Sequence, residues 1–153
     1  MKYLVAFYSR TGHIKTIGMT IGRALSADID EIIDKKKRAG IVNLIRAGRD
    51  GQAKKLTEIQ SEKNPQDYDV IVIGSPIWAG NPTPAIRTYL TTHDLKGKKV
   101  AFFICSIVNR YAKVFPQLKE LTPESEHVGI FTASRFRKGD RESELNAFIK
   151  KLK

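Results

Sequence analysis

Two hydrophobic periods alternate along this chain, and few architectures accommodate both. "KYLVAFY" (2–8) is apolar almost without a break, as expected of a strand buried on both faces. Ile14, Ile17, Gly18, Ile21 and Leu25 then recur at helical spacing and predict a helix over residues 13–26, with Gly18 and Gly22 allowing close approach to a sheet. "DIDEIID" (28–34) alternates as a strand. "YDVIVIGSP" (68–76), "KKVAFFICS" (98–106) and "HVGIFTA" (127–133) supply further strands. "TPAIRTYL" (83–90) predicts a helix with Thr83 as N-cap and Pro84 in the first helical position. "IVNRYAKVFPQLKEL" (107–121) predicts another, interrupted or ended around Pro116. Asp140 caps a last helix carrying Leu145, Phe148, Ile149 and Leu152 on one stripe. Residues 35–66 show the least pattern, with a short helix expected near 41–47. Alternating strands and helices imply an α/β fold: one domain over residues 1–153, with a parallel sheet covered by helices on both faces.

No apolar stretch reaches the ~20 residues that span a bilayer, and "MKYLVAFYSR" lacks the run length and cleavage site of a secretory signal. The single cysteine, Cys105, rules out an internal disulfide framework; a reducing, cytoplasmic location is expected. The formal charge of +11 is unusual, with basic groups at Lys35–Arg38, Lys96–Lys99, Arg135–Lys138 and Lys150–Lys153. Those clusters are dispersed, without aromatic interleaving or a nucleic-acid motif, so they point to a solvated surface or to attraction for acidic proteins or an anionic membrane rather than nucleic acid.

"YSRTGHIKTIG" (8–18) joins the first strand to the first helix. Such a turn sets several backbone N–H groups at the positive end of a helix, where a phosphate is favoured. Ser9 and Thr11 add hydroxyls, Gly12 lets the backbone curl, and Arg10, His13 and Lys15 add positive potential. A nucleoside-triphosphate loop is excluded, because five residues separate Gly12 from Gly18 and Met19-Thr20 follows. The Gly-x-Gly-x-x-Gly dinucleotide fingerprint is also missing.

"GSPIWAGNPTP" (74–84) closes the next central strand, on the same edge of the sheet as the first turn. Ligands of open parallel sheets bind outside the strand C-termini, where the strand order reverses. Trp78, the only tryptophan, is placed in this loop, and beside a phosphate site it suits a platform for a planar ligand.

These segments together resemble the flavodoxin family. Ser9-Arg10-Thr11-Gly12-His13-Ile14 is similar to the family's phosphate loop, and Ser75-Pro76-Ile77-Trp78-Ala79-Gly80 to its first flavin-flanking loop. Cys105-Ser106 and Tyr111 resemble the third loop and its second flanking aromatic. The resemblance implies a three-layer sandwich with a five-stranded parallel sheet of order 2-1-3-4-5, and one non-covalently bound FMN. It places the phosphate on residues 9–14 and Trp78 on one side of the ring, with Ser106, Asn109 or Tyr111 on the other. No catalytic residue and no metal site are implied.

Two departures stand out. Ile14 replaces the usual threonine of the phosphate loop, leaving Arg10 or Lys15 to compensate. The chain is basic where familiar flavodoxins are acidic, which implies acidic redox partners such as ferredoxin-like proteins. The leading expectation is an electron carrier. The alternative is an NAD(P)H-dependent FMN reductase acting on a quinone or similar small molecule, and a third class is a binding protein that has lost the flavin.

Overall fold

The computed structural model describes residues 1–36, 56–107, 111–134 and 140–153. The helix expected near 41–47, Asn109, Lys37, Arg38 and the basic cluster at 135–138 lie outside them. The chain forms β1 (Tyr3–Phe7), α1 (His13–Leu25), β2 (Asp28–Glu31), β3 (Ile33–Asp34) and β4 (Ile59–Gln60). A 3-10 turn (Pro65–Asp67) leads to β5 (Val70–Trp78), β6 (Asn81–Pro82) and α2 (Pro84–Thr92). β7 (Lys99–Ser106), α3 (Val114–Leu121), β8 (Glu126–Ser134) and α4 (Arg141–Leu152) follow.

The main sheet has the order β2-β1-β5-β7-β8, all pairs parallel. Counting those five strands along the chain gives 2-1-3-4-5, as the resemblance implied. Alternate side chains of the central strands feed two cores. Leu4, Ala6, Ile71, Ile73 and Phe102 pack under α2 and α3, through Ile86, Tyr89, Val114 and Leu118. Val5, Phe7, Val72, Ala101 and Phe103 pack under α1 and α4, through Ile14, Ile21, Phe148 and Leu152. Strands buried on both faces are apolar without alternation, which is why their sequences were so legible.

Three expectations are corrected. The strand expected over 28–34 divides at Ile32: β2 pairs with β1, whereas β3 turns away to pair antiparallel with β4. Pro116 neither interrupts nor ends its helix; α3 starts at Val114, so the proline occupies the first turn, where a missing N–H goes unnoticed. β5 runs on to Trp78, making that residue the end of a strand rather than part of a loop.

α1 lies close to the sheet because glycine faces it. A Cβ on Gly18 would sit 2.7 Å from Phe7 Cδ1. Gly74 on β5 is tighter still, at 2.2 Å from the Phe103 ring.

Candidate cofactor site

The strand order reverses between β1 and β5, one leading to β2 and the other to β7. Their C-terminal ends lie side by side, with Tyr8 N donating to Gly74 O at 3.1 Å. The two turns singled out from sequence leave from these ends and frame one crevice.

In the first turn Gly12 takes φ 94°, a left-handed value that glycine adopts readily, and caps α1. Ser9 Oγ accepts from Gly12 N (3.1 Å) and Lys15 N (3.2 Å), leaving its own hydrogen to donate. The N–H groups of Arg10, Thr11, His13 and Ile14 have no acceptor among the described residues. No acidic side chain occupies the first turn of α1, and the space over Gly12 is open. The positive end of this helix is therefore uncompensated and accessible, which suits a small anion.

The side chains divide more sharply than the sequence implied. Ile14 is buried in the core under α1, so this position offers an anion only its N–H. Thr16 Oγ1 bonds back to Gly12 O at 3.1 Å. Lys15 Nζ pairs with Glu31 at 2.7 Å, on the end of β2, which draws it off as a compensating charge. Thr11 and His13 are exposed and Arg10 is half-buried.

In the second turn the chain passes from Trp78 through Ala79 (φ 50°) and Gly80 (φ 77°) and returns as β6, pairing Trp78 with Asn81 and Ile77 with Pro82. Two successive positive φ values are the pattern of a type I′ hairpin, and an alanine held there costs about 1 kcal/mol. Side chains hold it in place: Asn81 Nδ2 donates to Ala79 O (3.2 Å) and Gln117 Nε2 to Gly80 O (3.3 Å). Ser75 Oγ accepts from Thr83 N (3.3 Å) at its base. Trp78 is half-buried and meets Tyr8 edge-on, with ring centroids 5.8 Å apart.

At the third turn Ser106 is buried at the end of β7, in register with Ser134 of β8. Tyr111 packs against the same core as Ile77 and Trp78. Cys105 lies in register with Pro76 and Ala133, and burial pushes its thiol pKa up against an opposing pull from Arg141. Sequence reasoning passed over Tyr8, Arg87 and Gln117. Tyr8 was detectable as an aromatic at a strand end, whereas nothing local marks the other two.

The flavodoxin domain model matches residues 39–148, which include the second and third turns. This chain belongs to the flavodoxin family. A flavoprotein from Lactobacillus acidophilus NCFM, solved in complex with FMN, is 23% identical with a TM-score of 0.76, covering 96% of this chain and 97% of that one. A putative flavoprotein from Bacteroides eggerthii DSM 20697 is 25% identical with a TM-score of 0.75, covering 97% and 96%. Oxidised flavodoxin 2 from Bacillus cereus is 18% identical with a TM-score of 0.62, covering 99% and 97%. Among the described residues, no helix is long and apolar enough to cross a membrane.

Proposed function

We propose that this flavodoxin holds one FMN between its first two turns and carries electrons between redox proteins. The observation that supports it most is the pairing of an uncompensated helix end with an aromatic strand end, joined through Tyr8 and Trp78. The residues present fit FMN. The N–H groups of Arg10, Thr11, His13 and Ile14 and the hydroxyls of Ser9 and Thr11 would take the phosphate. Trp78, with the backbone of residues 76–80, would hold one side of the ring. Ser106, Asn109 or Tyr111 would border the other. When bound, FMN supplies one- and two-electron chemistry that no side chain here possesses.

The protein's own part is to anchor, orient and bias. Main-chain donors fix the phosphate without rearrangement, because Ser9 and Gly12 already set the loop. The formal charge of +11 favours acidic partners, which electrostatic steering would bring to the crevice. Purified protein reconstituted with FMN should pass electrons from a reduced ferredoxin-like donor to an acceptor protein, at rates that fall with added salt. Rapid NAD(P)H oxidation with a quinone and no protein partner would instead establish the reductase.

A further inference from the structure

Gln117, on α3, has an amide fixed by three groups. Its Oε1 accepts from Arg87 Nη2 (2.8 Å), and its Nε2 donates to Gly80 O (3.3 Å) and Lys113 O (3.0 Å). Chemistry settles this orientation, since a guanidinium only donates and a carbonyl only accepts. Arg87 is 9% exposed, its Nε has no partner, and Gln117 provides the one side-chain hydrogen bond it makes among the described residues. An aliphatic residue would fill the space between α2 and α3 without the penalty of burying a charge. Core packing alone does not explain the pair.

Gln117 acts on the turn after Trp78. With Gly80 O held by Gln117 and Ala79 O held by Asn81, both central carbonyls are committed within the chain. The N–H groups of Ala79 and Gly80 have no acceptor among the described residues. The turn thus presents donors and withholds acceptors.

We propose that Arg87 and Gln117 are positioning residues that lock the Ala79–Gly80 turn, so that FMN meets this turn through N–H groups. The inference rests on the FMN reading above. Donors favour the oxidised ring, whose nitrogen and oxygen atoms accept.

Two substitutions separate this role from packing. Gln117→Met removes donor and acceptor together, and its midpoint is the one to read; Gln117→Glu keeps the acceptor for Arg87 and removes the donors, but adds a negative charge that itself lowers the midpoint. Amide exchange at Asn81 of the apoprotein, which pairs with Trp78 across the turn, should accelerate about tenfold in both. FMN affinity should fall about fivefold in both, and the midpoint of the first one-electron couple should rise in Q117M. Q117E should melt close to wild type, because Arg87 keeps its partner. Unchanged exchange and affinity in folded Q117E, or an unchanged midpoint in folded Q117M, would overturn the proposal. Should wild-type protein take up no FMN, the reading of the site fails, and exchange in the apoproteins still decides whether Gln117 locks the turn.

Discussion

Tyr8 and Trp78 stand ring edge to ring face, with centroids 5.8 Å apart and planes at 84°. Tyr8 directly follows β1 and Trp78 ends β5, so this contact joins the two turns that frame the crevice. Tyr8 is 7% exposed and rooted in the core under α2, which makes it the fixed partner and Trp78 the adjustable one. Trp78→Leu is expected to weaken FMN binding about tenfold, in line with ~1.5 kcal/mol for a lost aromatic contact. Tyr8→Leu, which keeps apolar volume but frees the indole, should cost less. Flavin fluorescence titrations of the two variants measure both.

Ser9 accepts two N–H groups at the very place where an anion is expected. Ser9→Asp should therefore move two observables in opposite directions. A carboxylate at this helix end stabilises the fold by ~0.5 kcal/mol, while its charge repels phosphate and weakens FMN binding. Parallel thermal melts and FMN titrations would show whether the signs differ.

Gly74 allows β5 to pass Phe103, with 2.2 Å between a built Cβ and the ring. Phe103 is 0% exposed and has no room to retreat. Gly74→Ala should destabilise the protein by about 2 kcal/mol through overpacking, measurable by urea unfolding.

Burial, reinforced by a hydrogen bond to Asp28 Oδ2 (2.7 Å), pushes the Tyr68 phenol up to about 12 from its ordinary value of 10.0. A pKa raised on folding means that the folded state holds the proton more tightly. The associated stability is complete below pH 10.0 and is lost as pH climbs toward about 12. Tyr68→Phe should flatten that alkaline limb in denaturation curves taken from pH 9 to about 12.

Much of this was written in the sequence because buried parallel strands are apolar runs and the helices keep a clean 3.6 period. Both turns were legible for the same reason: they follow the strands whose C-termini must meet at the reversal of strand order. What escaped notice depends on contacts between distant residues. Glu31 takes Lys15 away from the phosphate loop across 16 positions, and Gln117 reaches Gly80 across 37. The hairpin after Trp78 was hidden because Ala-Gly lacks the Asn-Gly signature of a type I′ turn. Pro116 misled because a proline's effect depends on where the helix starts.

Positive surface charge should leave its mark on the potentials. A fully reduced flavin is anionic, and each positive charge at ~10 Å contributes on the order of 0.4 kcal/mol in water-like dielectric. That is ~20 mV per charge for one electron, before salt screening. Arg10→Gln should lower the second-electron midpoint by about that amount, as read by anaerobic potentiometry.

Calorimetric titration of the apoprotein with FMN and with riboflavin tests the phosphate anchor most directly. We predict one FMN bound per chain and riboflavin held at least about a hundredfold more weakly, since only the phosphate engages the charged helix end. Equal affinity for both, or no heat with either, would contradict it.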